Sequence, residues 1–191
     1  MKTDIILAGV GGQGILSIAA VIGEAALEDS LYLKQAEVHG MSQRGGDVQS
    51  NLRISSNPIY SDLIPKGKAD LIISLEPMES LRYLPWLSKE GTIVTNSQPF
   101  ININQYPEME KINQELSKIS NIIVIDAEAI AKTETGTVRT ANMVMLGASA
   151  PFLNIEFAKI ENAVRAIFSR KGEDIVNMNI KALHAGYNAA K

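Results

Sequence analysis

Along the chain, short unbroken apolar runs alternate with longer stretches in which apolar residues return every three or four positions. The run Ile5-Ile6-Leu7-Ala8 is continuous rather than alternating, which is how a strand buried on both faces of a parallel sheet reads, and such a strand needs helices over both faces. Ile15, Ile18, Ala19, Ile22 and Ala26 then recur at helical spacing and predict a first helix that ends near Asp29-Ser30. A second strand is read at Leu31-Tyr32-Leu33-Lys34-Gln35-Ala36-Glu37. Similar buried runs return at Leu71-Ile72-Ile73-Ser74, Thr92-Ile93-Val94-Thr95 and Ile122-Ile123-Val124-Ile125. Repeated β–α alternation predicts a Rossmann-like, doubly wound α/β fold with a mostly parallel sheet and helices on both faces.

Two segments break this rhythm. Asp47-Val48-Gln49-Ser50-Asn51-Leu52-Arg53-Ile54 alternates polar and apolar with period two, so it is expected to be exposed on one face, as an edge strand or a hairpin arm, and Asn57-Pro58 ends it. In the C-terminal third, Phe157, Ile160, Val164, Ile167 and Phe168 form one amphipathic stripe and Val176, Ile180, Leu183 and Tyr187 another. They predict two closing helices that turn at Lys171-Gly172. Thr133-Glu134-Thr135-Gly136-Thr137 reads as a flexible surface loop. No repeat, low-complexity tract or Pro/Gly/Ser-rich linker divides the chain, so residues 1–191 are expected to form one domain.

Composition narrows the chemistry. With 18 Lys+Arg against 21 Asp+Glu among 191 residues and no block of like charge, the chain lacks the footprint of a nucleic-acid binder. It has no Cys, so it offers no ligand for an Fe–S cluster or a thiolate zinc site and no nucleophilic thiol, and no metal is expected on it. The apolar stretches are too short or too interrupted to span a bilayer, and no signal-peptide pattern opens the sequence; a soluble cytoplasmic protein is expected.

Gly9-Val10-Gly11-Gly12-Gln13-Gly14 satisfies G-x-G-x-x-G directly after a buried strand and at the opening of a helix, where amide groups and the helix dipole favour a phosphate or carboxylate. Ile15-Leu16 stands where Lys-Ser/Thr would complete a Walker A loop, which excludes that motif. A dinucleotide site would need an acid at the end of the second strand; Lys34 occupies that place, and Glu37 serves only if the strand runs longer. The residues leave open phosphate binding, tight strand–helix packing without a ligand, and a protein interface.

Glu37-Val38-His39-Gly40-Met41-Ser42-Gln43-Arg44-Gly45-Gly46-Asp47 has no periodicity and reads as a shaped loop near the glycine turn. Arg44 offers a fixed cation for a carboxylate or a bidentate phosphate contact. His39 lacks a visible nucleophile or carboxylate partner and fits a structural hydrogen-bonding role better than a proton shuttle. Gly45-Gly46 suits a turn under either reading. Asp126, at the end of a buried strand, reads as a helix cap, and Trp86 and most of the Met residues read as core. No residue is assigned to catalysis.

The glycine loop through Ile15-Leu16, together with Gln35-Ala36-Glu37-Val38-His39-Gly40-Met41-Ser42-Gln43-Arg44-Gly45-Gly46, resembles the gamma-type component of 2-oxoacid:ferredoxin oxidoreductases. Its Glu-Val-His-Gly-Met-Ser-Gln-Arg-Gly-Gly wording is similar to the beta subunit of the indolepyruvate branch, whereas pyruvate and 2-oxoglutarate relatives carry a Gly-Pro-Glu-x-Arg-Gly-Gly version. Asp126-Ala127 and Asn142-Met143-Val144-Met145-Leu146-Gly147 extend the resemblance over nearly the whole chain. It implies oxidative decarboxylation of an aryl-pyruvate to an acyl-CoA with electrons passed to ferredoxin. It also implies that thiamine diphosphate, Mg and the Fe–S clusters lie in a large Cys-containing partner subunit, so that this chain holds no cofactor and is inactive alone. Coenzyme A would give Gly11, Gly12, Gly14 and Arg44 an anionic ligand. A stand-alone NAD- or FAD-dependent oxidoreductase and a non-catalytic scaffold module are the competing readings.

Overall fold

A computed structural model describes residues 1–39, 45–101 and 103–191, with the side chain of His39 outside the described atoms. The chain order is β1 (Lys2–Val10), α1 (Ile15–Glu28), β2 (Tyr32–His39), β3 (Asp47–Ser55), β4 (Ala69–Ser74), α2 (Pro77–Arg82), β5 (Leu87–Asn96), α3 (Met109–Leu116), β6 (Ile122–Ile125), α4 (Ala127–Thr135), α5 (Ala141–Ser149), α6 (Phe157–Phe168) and α7 (Glu173–Ala189). The strands form one sheet in the order β2-β3-β1-β4-β5-β6. β1, β4, β5 and β6 pair in parallel, while β3 runs antiparallel to both of its neighbours.

The unbroken apolar run of β1 has the environment its composition demands. Ile5 and Leu7 face one core, Ile6 and Ala8 the other, and all four are at most 1% exposed. The larger core lies under α1 and α4 to α7, with Leu52, Leu71 and Ile73 supplying the sheet side. The smaller core gathers Ile64, Ile72, Tyr83 and Ile93 beneath α2, with α3 packed beside it. Met143 and Met145 are fully buried as core filling requires, whereas Met78, Met109, Met178 and Trp86 are only half-buried, Trp86 packing edge-on against Tyr83.

Two expectations need correction. The 47–54 segment is a hairpin arm but not an edge strand: β3 lies between β1 and β2, and the hairpin leaves β2 at the edge. Its inner polar positions, Ser50 and Asn51 buried and Arg53 half-buried, are tolerated because each has a partner. Gln35 donates to the Ser50 hydroxyl at 3.1 Å, the Ile64 amide donates to Asn51 at 3.2 Å, and Arg53 holds buried Asp4 through Nε at 2.7 Å. Period two thus marked partnered polar groups rather than solvent. Residues 133–137 are likewise not a loose loop. α4 runs to Thr135, Gly136 takes a positive φ of 75° as its cap, and the Thr135 hydroxyl bonds the Ala131 carbonyl at 2.8 Å.

α5 is buried along nearly its whole length because α7 approaches it backbone to backbone. A Cβ on Gly147 would overlap the Leu183 carbonyl, and one on Gly186 would overlap the Val144 carbonyl. Gly147→Ala and Gly186→Ala are each expected to cost about 3 kcal/mol through overpacking, a fall in melting temperature of roughly 6–12 °C for a chain of this size. Thermal unfolding of the two variants checks this, and an unchanged midpoint would show that the helices separate without cost.

Candidate functional site

Because β3 alone is reversed, β1, β2, β4, β5 and β6 all end on the edge where β3 begins. Ligands in open α/β sheets bind outside this carboxyl edge. The chain leaves β1 through Gly11 to Gly14, and Gly14 enters α1 with φ 87° and no side-chain cap. That left-handed turn favours glycine, and Asn142 packs where a Cβ would stand while donating to the Gly14 carbonyl at 3.3 Å.

The glycine segments meet here. The Gly11 amide donates to the Gly46 carbonyl at 2.8 Å and the Gly45 amide to the Gly11 carbonyl at 3.4 Å, which extends the β1–β3 ladder beyond its last pair. Gly9 remains within β1, opposite Val48. The Gln13 side chain accepts from the Val10 amide at 2.7 Å and donates to the Leu75 carbonyl at 3.0 Å, bridging the ends of β1 and β4. Gly11 and Gln13 therefore build the turn, while the amides of Gly12 and Gly14 form no hydrogen bond among the described residues and remain donors for an anion.

Glu37 does fall within a strand that runs past it, opposite Ser50. Yet β3 separates β2 from β1, so this acid stands two strands, roughly 10 Å, from the glycine strand. β2 is therefore not the parallel neighbour of β1 that a dinucleotide ribose contact requires. His39 closes β2 opposite Val48, and its side chain lies outside the described atoms, as do residues 40–44 with Gln43 and Arg44.

Beside the glycine turn a cleft of about 130 Å³ runs from Gly12 to Asn96 and to Arg139 and Asn142. Arg139 is exposed, and its side chain makes no hydrogen bond or ion pair among the described residues. Glu128 also lines the cleft. Asp126 caps α4, accepting from the Ala129 amide at 2.9 Å, and takes a second bond from Gln98 at 2.7 Å.

On the other side of the edge, buried Glu76 caps α2, accepting from the Glu79 amide at 2.8 Å. Its other oxygen accepts from the Tyr106 hydroxyl and from the Phe100 amide at 3.4 Å. Burial and the Glu76 hydrogen bond hold the Tyr106 phenol protonated, well above its ordinary range. Burial also raises the Glu79 carboxyl, against the opposing pull of Arg82 at 2.8 Å. Sequence reasoning missed Arg139, Glu76 and Tyr106. Glu76-Pro77 after a buried strand is a readable cap signal, but nothing local announces what reaches it.

Residues 4–189 match the family model described as pyruvate ferredoxin/flavodoxin oxidoreductase. The chain is similar to indolepyruvate oxidoreductase subunit IorB of Archaeoglobus fulgidus, with 38% identity over all of this chain and 96% of that one. The gamma subunit of a keto/oxoacid ferredoxin oxidoreductase from Geobacter sulfurreducens superposes with TM-score 0.72 at 25% identity, covering 98% of each chain. The 2-oxoglutarate:ferredoxin oxidoreductase of Magnetococcus marinus, solved with 2-oxoglutarate, coenzyme A and succinyl-CoA bound, shares the fold with TM-score 0.77 at 21% identity. There the match covers 99% of this chain but 31% of the longer one.

Gln13→Ala would leave the Val10 amide without its partner and the Leu75 carbonyl with only the longer bond from Asn96 at 3.4 Å, and is expected to cost roughly 1–3 kcal/mol. Urea unfolding measures the loss, and wild-type stability would show that the bridge is replaced by water.

Proposed function

The chain belongs to the pyruvate ferredoxin/flavodoxin oxidoreductase family, and from that membership we propose that it serves the indolepyruvate-type branch as a small subunit inactive without its partner. The observation that supports this most is the similarity of the whole chain, at 38% identity, to a relative of nearly equal length. The reaction breaks the bond between the 2-oxo carbon and the carboxylate, releases CO2, forms a thioester with coenzyme A and passes two electrons to ferredoxin. Thiamine diphosphate with Mg in a large Cys-containing chain supplies stabilisation of the developing carbanion, and Fe–S clusters there carry the electrons. A chain without Cys suits the complementary part.

That part is to hold coenzyme A by its phosphates. Gly12 and Gly14 supply amide donors, Arg139 a fixed cation across the cleft, and Arg44, which lies outside the described residues, a second cation. A space of about 130 Å³ is smaller than a pocket for a whole drug-sized ligand, so it takes one phosphate group while the rest of the coenzyme crosses the rim. The stand-alone nucleotide-dependent enzyme is not favoured, because β3 occupies the place beside β1 that a dinucleotide site needs. No helix among the described residues is long and apolar enough to cross a membrane.

Anaerobic purification of the tagged chain from its native host is expected to bring down a large Cys-rich chain and thiamine-dependent, ferredoxin-linked oxidation of indolepyruvate above pyruvate. A lone chain carrying its own nucleotide would overturn the reading. In the assembled enzyme, Arg139→Ala and Arg44→Ala are each expected to raise KM for coenzyme A about tenfold, the loss of roughly 1.4 kcal/mol, without moving KM for the 2-oxoacid. Steady-state kinetics with each substrate varied separates the two, and an unchanged coenzyme A KM would remove these arginines from its site.

A further inference from the structure

Six exposed large apolar residues lie along the carboxyl edge, from β2 to the segment after β5. Leu16 stands in the first turn of α1, Val38 next to the end of β2, Val138 at the cleft, and Phe100, Ile101 and Ile103 in the segment that follows β5. Ile101 is 70% exposed and Val38 59%. Apolar side chains grouped around a polar cleft mark an interaction surface.

The segment after β5 is also tied down. Buried Glu76 accepts from the Phe100 amide and from the Tyr106 hydroxyl, so one carboxylate fixes both sides of the stretch that displays Ile101 and Ile103. An exposed apolar strap anchored at two points loses little freedom on docking.

We propose that this rim is the docking surface for the large thiamine-binding chain, and that Glu76 and Tyr106 are positioning residues that hold the strap in its docking shape. The inference rests on the subunit reading above. Its occupant follows from two observations. The same fold makes up 31% of a longer oxidoreductase chain in Magnetococcus marinus, so there it is covalently part of a larger body. A Cys-free chain also needs a partner for the electron path, and only its ligand-binding edge brings the cleft to that partner. The rim then closes over the cleft. A second exposed apolar group, Tyr60 and Leu63, lies beyond the opposite end of β3 and serves as the comparison.

The experiment uses the full chain and the large chain obtained by co-purification, with association measured by biolayer interferometry and folding checked by melting temperature. Ile101→Asp and Val138→Asp are expected to weaken association at least about tenfold while melting as the wild type does. Tyr106→Phe, which removes one hydroxyl from beneath the strap, is expected to weaken it by roughly threefold, and Tyr60→Asp to leave it unchanged. Wild-type association by both Asp variants, or loss of association in Tyr60→Asp instead, overturns the proposal. A wild-type chain that binds no large chain overturns the subunit reading, and this proposal falls with it.

Discussion

The antiparallel ladder between β1 and β3 is the interaction on which the rest of the structure depends. It runs from Lys2 opposite Ser55 to Val10 opposite Asp47 and continues into the Gly11–Gly46 hydrogen bond. By taking the place beside β1, β3 pushes β2 to the edge and separates it from β1, breaking the β1–β2 pair on which a dinucleotide site is built. The same ladder brings the second glycine segment against the first. A fold whose opening reads as nucleotide-binding thereby acquires a different carboxyl edge, made from a turn and a hairpin end.

The two faces of the sheet divide the remaining work. The larger core carries the stability, with α5 sealed by α7 through the reciprocal glycine contacts at Gly147 and Gly186, so the helix behind the cleft has little room to move. The smaller face carries α2, whose cap Glu76 is also the anchor of the strap beyond β5. One buried carboxylate thus ends a helix and ties down a surface segment, and together with burial it holds the Tyr106 phenol protonated.

Most polar groups at the glycine turn are committed to structure. Gln13 bridges two strands, Gly11 continues the ladder, Asn142 braces Gly14, and Asp126 caps a helix. Among the described residues, the amides of Gly12 and Gly14 and the Arg139 side chain in the small cleft are not committed in this way. That inventory suits a chain of this family that contributes binding to an assembly, with the redox groups supplied by another subunit.

The sequence by itself determined the elements and the family. The reading of unbroken apolar runs as buried strands holds for β1, β4 and β5, while the run at 122–125 is a strand at the sheet edge with Val124 45% exposed; the amphipathic stripes are helices, and the two glycine segments with their spacing identify the chain's relatives. It also determined that Asp126 would cap and that the chain brings no cysteine thiol of its own. Only the tertiary structure decided the strand order, because a period-two segment such as 47–54 pairs equally well at an edge or inside a sheet, and its buried Ser50, Asn51 and Arg53 find partners far along the chain. For the same reason Tyr106, Arg139 and the bonds of Glu76 to the segment after β5 were illegible. Their roles come from neighbours separated from them by many residues, and local pattern carries no information about contacts that folding alone creates.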